Sequence, residues 1–163
     1  MMKDAIETAI KMETDAISFY GEAARTTSHV FGKEMFKGFI KDETRHLKML
    51  RALFQSVDFD VELIRPKDTI KTVFSMLKDE MMQRVKVMDN EMEAVSIALK
   101  LEKEGFDFYK KAAAAAESQK EKELFEKLSI EENDHYSILL ETSKFLDNTG
   151  QWYMYEERGI VEG

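Results

Sequence analysis

KDETRHLKML, residues 41–50, and IEENDHYSIL, residues 130–139, each set a glutamate three positions before a histidine: Glu43 before His46, and Glu132 before His135. Three residues along an α-helix fall about 60° short of a full turn, so both side chains of a pair leave one face. Working outward, residues 5–53 lie on 94–142 without a gap. Ala5, Ala9, Lys11, Glu13, Phe19, Tyr20, Ala23, Ala24, Lys33, Glu34, Phe36, Glu43 and His46 meet identical residues at Ala94, Ala98, Lys100, Glu102, Phe108, Tyr109, Ala112, Ala113, Lys122, Glu123, Phe125, Glu132 and His135. The chain is a repeat, and two of its three histidines are paired by it.

Each half reads as two helices. Ile6, Ile10, Glu13, Ile17, Tyr20 and Ala24 recur at steps of three and four and trace one face; Phe36, Phe39, Glu43, His46, Leu50 and Phe54 trace the next. The second half repeats this with Val95, Leu99, Glu102, Phe106, Tyr109 and Ala113, then Phe125, Leu128, Glu132, His135 and Leu139. Every stripe carries a glutamate at its middle and none carries Lys or Arg. An ionised carboxylate in an apolar core costs several kcal/mol or more unless a cation compensates it. Turns near Ser28–His29 and Ser118 put Glu13 nearly as far before the first turn as Glu43 and His46 lie after it, and the second half matches. Equal distance from the turn of an antiparallel pair is equal height, so four carboxylates and two imidazoles meet in one layer.

Between the halves, Asp58, Asp60 and Pro66 mark a loop, and Ile70, Val73, Phe74, Leu77, Met81, Val85 and Met88 follow at helical spacing. About twenty residues at roughly 1.5 Å each span about 30 Å, enough to return the chain along the bundle. The expectation is one all-α domain over residues 1–147. Two repeats, about 3–56 and 91–147, are joined by one long helical crossover at about 67–89, and a tail, 148–163, carries Trp152, Tyr153 and Tyr155 and docks on the bundle or on another subunit.

Composition narrows the chemistry. The 163 residues contain no Cys, which excludes thiolate catalysis, Cys-ligated zinc and iron–sulfur clusters. A formal charge of −8 without a basic patch argues against nucleic acid. No apolar run has the length of a signal or membrane span, so a cytoplasmic protein is expected. Glu13, Glu43, His46, Glu102, Glu132 and His135 are the candidate ligands. Four carboxylates balance two divalent ions, and ligation rich in oxygen with one imidazole per metal favours two iron ions; manganese or zinc can also occupy such a site.

A glutamate from each of two helices and Glu-x-x-His from each of the others is the di-iron arrangement of ferritin-like bundles. On these residues the chain resembles the rubrerythrin branch of the ferritin-like superfamily over residues 3–147, and bacterioferritins with the same ligand set. The resemblance implies a ferritin-like four-helix bundle in which Glu43 and Glu132 bridge the metals, Glu13 and Glu102 are terminal ligands, and each histidine binds one metal. Tyr20 and Tyr109 are implied to hydrogen-bond ligand carboxylates. Rubrerythrins commonly carry a rubredoxin-like Cys₄ iron domain; a chain without Cys needs a separate electron donor such as a rubredoxin. The implied activity is reduction of peroxide or dioxygen, or oxidation of ferrous iron, in a homodimer. Bacterioferritin-like iron storage and a metal-stabilised scaffold without catalysis are the alternatives.

Other polar residues are expected on wet surfaces: His29 at its turn, Asp15, Glu104, Asp42 and Glu131 beside the ligands, and Glu22, Glu34 and Glu121 elsewhere. The eleven methionines, Met12, Met35, Met49 and Met76 among them, are expected as core filler.

Overall fold

The computed structural model describes residues 3–69 and 85–152. Four helices carry the site: α1 (Lys3–Thr26), α2 (Val30–Phe54), α3 (Asp89–Ala114) and α4 (Gln119–Thr149). Two two-residue strands, β1 (Val85–Lys86) and β2 (Gln151–Trp152), pair antiparallel. This is the all-α bundle expected from the stripes. Among the described residues, no helix is long and apolar enough to cross a membrane.

The helices stop where the sequence supplies caps. His29 is the N-cap of α2, its Nδ1 accepting from the Phe31 N–H at 3.0 Å. It is buried at 2% exposure, so the expectation of a wet turn residue is corrected: the free N–H groups of a helix start need an acceptor, and the imidazole provides it. Glu121 is likewise not a solvated surface acid. Ser118 Oγ accepts from the Glu121 N–H, and the Glu121 carboxylate accepts from the Glu117 N–H, a reciprocal cap that buries the acid at the start of α4. Glu91 does the same for α3 through the Met88 N–H (2.9 Å) and also accepts from the backbone and hydroxyl of Ser28, tying the first turn to the third helix. Gly150, at φ 65°, closes α4 in the left-handed conformation that glycine adopts without penalty.

Side-chain pairs fix the helix directions. Tyr20 meets Glu102 while Tyr109 meets Glu13, and His46 meets Glu131 while His135 meets Asp42. In each case the later residue of one helix faces the earlier residue of the other, so α1 and α3 are antiparallel, as are α2 and α4. The repeats are therefore related by a pseudo-two-fold axis across the bundle. It follows that α2 ends and α3 begins at opposite ends of the bundle. Of the expected crossover, residues 70–84 lie outside the described residues. Buried Pro66 opens a helical turn at 66–69, and residues 85–86 are extended because their backbone pairs with the chain after α4.

The apolar core is divided in two. Tyr20, Phe31, Met35, Phe36, Phe39, Val95, Leu139, Phe145 and Trp152 fill one end; Ile6, Met49, Leu50, Tyr109, Leu124, Phe125 and Leu128 fill the other. Repeat-related stacks mark both ends: Tyr20 on Phe36 at 5.8 Å and Tyr109 on Phe125 at 6.0 Å. Met35 and Met49 are core filler as expected, Met12 is partly buried, and Met76 lies outside the described residues. The tail begins by docking on the bundle: Trp152 is fully buried against Phe31 and Gly32, while Tyr153 and Tyr155 lie outside the described residues.

Gly32 admits that ring. A Cβ there would stand 2.5 Å from Thr27 Cγ2 and 2.9 Å from the Trp152 ring. Gly32→Ala is expected to destabilise the protein by about 1–3 kcal/mol. Because the chain has one tryptophan, its emission should move to the red in the same variant; an unmoved spectrum and denaturation midpoint would contradict this packing.

Candidate metal centre

Between the two apolar ends lies a layer of acid and imidazole. Glu13 from α1, Glu43 and His46 from α2, Glu102 from α3, and Glu132 and His135 from α4 are all at most 4% exposed. They fall into two overlapping groups whose donor atoms lie within 4.8 Å of one another. One is Glu13, Glu43, His46 and Glu132; the other is Glu43, Glu102, Glu132 and His135. Glu43 and Glu132 belong to both. The structure thus brings together all six residues singled out from the sequence.

Tyr20 and Tyr109 reach the layer from opposite sides. The Tyr109 hydroxyl donates to Glu13 Oε1 at 2.5 Å, and the Tyr20 hydroxyl donates to Glu102 Oε1. Burial, and then the carboxylates of Glu102 for Tyr20 and Glu13 for Tyr109, push both phenols well above their ordinary values, so both keep their protons and act as donors.

Asp42 and Glu131 correct the sequence reading, which put them in solvent. Asp42 is 5% exposed and Glu131 is fully buried. The His46 Nε2–H donates to Glu131 Oε1 at 2.9 Å, and the His135 Nε2–H donates to Asp42 Oδ2 at 2.8 Å. The signal was in the repeat. Asp42 and Glu131 occupy equivalent positions, each four residues before its histidine and so only about 40° around the helix from it. That angle turns them to the seam between α2 and α4 and not to water. Asp15, Glu104 and Glu22 are exposed as expected, and Glu34 is half-buried.

When the ring is neutral with Nε2 protonated, each imidazole presents the Nδ1 lone pair to the layer; in the metal-free protein a second proton competes for that nitrogen. His46 Nδ1 lies 3.2 Å from Glu43, 3.3 Å from Glu132 and 3.5 Å from Glu13; His135 Nδ1 lies 3.0 Å from Glu43 and 3.3 Å from Glu102. Glu13 Oε2, Glu43 Oε1, Glu102 Oε2, Glu132 Oε1 and His135 Nδ1 are buried without a hydrogen-bond partner. Acceptors aimed at one another at these distances repel unless protons or cations lie between them. Four carboxylates and two neutral imidazoles, each imidazole oriented by an acid behind it, suit a pair of divalent cations.

The same crowding governs protons. Burial, then the charges of neighbouring carboxylates, push Glu13 and Glu132 well above the usual range. Burial also raises Glu43, but hydrogen bonds with Glu13, His135 and His46 outweigh it and hold Glu43 well below that range. Burial depresses both histidines, yet the charge of Glu13 on His46, that of Glu102 on His135, and the surrounding hydrogen bonds lift both well above the ordinary value. Protons and metal ions compete for this layer.

A cavity of about 330 Å³ leads from this layer to the surface between α1 and α3. Its walls are Met12, Ala16, Leu101, Gly105 and Phe108, with exposed Asp15 and Glu104 at the rim. Gly105, which sequence reasoning passed over, leaves room at the floor: a Cβ there would stand 3.2 Å from Glu132 Oε2.

Comparison with protein families matches residues 4–143 to rubrerythrin. The chain belongs to the rubrerythrin family. No curated protein and no solved structure matches it significantly. The 163 residues contain no Cys, and those described form a helical bundle without a rubredoxin-like strand domain.

The shifts give a sign for stability. Glu13 and Glu132 titrate above 4.5, and His46 and His135 above 6.5, only when folded, so the folded chain binds more protons than the unfolded one as pH rises past those values. The thermal midpoint of metal-free protein should therefore fall as pH rises from about 5 to 8. Saturating divalent metal should flatten the slope; circular dichroism melts across that window check both.

Proposed function

We propose that this rubrerythrin is a non-haem di-iron oxidoreductase that reduces peroxide or dioxygen at the carboxylate–histidine layer. The observation that carries the reading is the set of buried, mutually facing acceptors in two overlapping groups. Glu13, Glu43, His46 and Glu132 would hold one iron ion, and Glu43, Glu102, Glu132 and His135 the other, so Glu43 and Glu132 would be shared. A pair of iron ions there supplies the electron transfer that reduction of an O–O bond requires.

The chain's own residues set the conditions for that chemistry. Tyr109 and Tyr20 hold the Glu13 and Glu102 carboxylates in place by donating to one oxygen of each, leaving the other oxygen directed into the layer. Asp42 and Glu131 fix the rotation of the two imidazoles. The apolar ends exclude bulk water above and below. The cavity between α1 and α3 admits a small oxidant, and its rim acids, Asp15 and Glu104, disfavour anionic ones. With no Cys in the chain, electrons would come from a separate donor protein such as a rubredoxin, and a cytoplasmic homodimer is the assembly we expect.

Protein reconstituted anaerobically with ferrous iron should retain two iron ions per chain and develop ferric absorption on addition of hydrogen peroxide. The double variant Glu43→Ala/His135→Ala should lose both. Iron uptake well below two per chain in the parent protein would sink the proposal. Size-exclusion chromatography separates it from iron storage, since a mineral-holding cage would elute far ahead of a dimer.

Ala16→Leu should still take up iron but react with peroxide about tenfold more slowly, because the added side chain fills the cavity between α1 and α3. Stopped-flow absorbance of loaded protein measures this, and an unchanged rate would move the access route elsewhere.

A further inference from the structure

The two halves of the layer repeat one another except just behind the histidines. The repeat that pairs Asp42 with Glu131 also pairs Arg45 with Asp134, and so exchanges a cation for an anion. Arg45 sits between the two acids that orient the imidazoles, but not evenly. Its Nη2 and Nη1 donate to Glu131 Oε1 (2.5 Å) and Oε2 (3.1 Å), while Asp42 Oδ1 is 3.7 Å from Nη2.

The connector adds to the imbalance. The Ile64 N–H donates to Glu131 Oε2 at 3.0 Å, and Arg65 forms a two-pronged pair with buried Asp134 at 2.6 and 2.7 Å. The Glu131 carboxylate thus accepts from His46, twice from Arg45 and once from the backbone. The Asp42 carboxylate has the His135 Nε2–H and a distant guanidinium. Glu62, from the same segment, also acts on Arg45.

We infer that Arg45 and the connector make the two metal positions unequal, with the position at His135 binding its ion more tightly than the position at His46. An imidazole whose N–H is given to an uncommitted carboxylate is the stronger ligand, because negative charge reaches the metal through the ring. At His135 that charge is largely intact. At His46 it is cancelled by the guanidinium of Arg45, which pairs with Glu131 through both terminal nitrogens. Arg45 is a positioning residue: it acts on the metal through Glu131 and His46 without touching it.

This inference rests on the di-metal reading, and the experiment separates the two. Metal-free protein is titrated with cobalt(II) by calorimetry, with visible absorption followed in parallel. The parent protein should bind in two steps separated by about tenfold or more in affinity, and His46→Ala should remove the weaker step while sparing the tighter one. Arg45→Gln should tighten the weaker step by about tenfold and leave the tighter one in place; Glu131→Gln should weaken the weaker step further; Arg45→Lys should stay near the parent. A purely structural role for Arg45 would lower the melting temperature and move both steps together. Two equal steps in the parent, or joint movement in Arg45→Gln, overturn the inference while leaving a metal centre in place. No binding of cobalt(II) at all removes the centre itself. Should Arg45→Gln fail to fold, Glu131→Gln and Arg45→Lys decide the question alone.

Discussion

Everything in this bundle is arranged around mutual repulsion. Four carboxylates converge where hydrocarbon would pack at less cost, and no Lys or Arg lies in the apolar stripes to neutralise them. That one constraint explains why the core is two cores with a polar floor between them, and why both tyrosines are threaded through the aromatic stacks to deliver a hydroxyl at the same height. It also explains the acids behind the histidines. An imidazole left to rotate could turn its N–H toward the layer and satisfy the carboxylates itself; Asp42 and Glu131 prevent this by claiming that proton from the other side.

The two faces of the layer are treated differently. Between α1 and α3 small side chains, Ala16 and Gly105, leave a passage to water. Between α2 and α4 the gap is filled by Arg45 and overlaid by the connector, whose backbone and Arg65 fasten to Glu131 and Asp134. One side is built for traffic and the other for holding position. Ile64 and Arg65, shortly after α2, therefore form part of the back wall of the site.

The sequence was legible where the repeat and the helical period agreed. Both Glu-x-x-His pairs, the two further glutamates and their common height follow from spacing, because identical residues at matching distances from two turns leave little freedom; the tyrosine hydrogen bonds came from the family resemblance. It was less legible where a polar side chain serves backbone geometry. His29 and Glu121 look like surface residues in a one-dimensional pattern, and only the unsatisfied N–H groups of the helix starts draw them inward. Asp42 and Glu131 failed for another reason. A stripe drawn through the ligands alone has two sides, and which side meets a neighbouring helix depends on how α2 and α4 are placed, which no single helix encodes. Gly105 was silent because what matters there is an absent side chain.

Pseudo-symmetry gives the chain a freedom that a pair of identical hairpins would lack. Had each half been a separate molecule, any substitution behind one histidine would appear behind both, and the two ends of the centre would be copies. Once both halves are written in one chain, each position can drift alone. The exchange of Arg45 for Asp134 across the axis uses that freedom, a broken mirror that two identical halves could not hold.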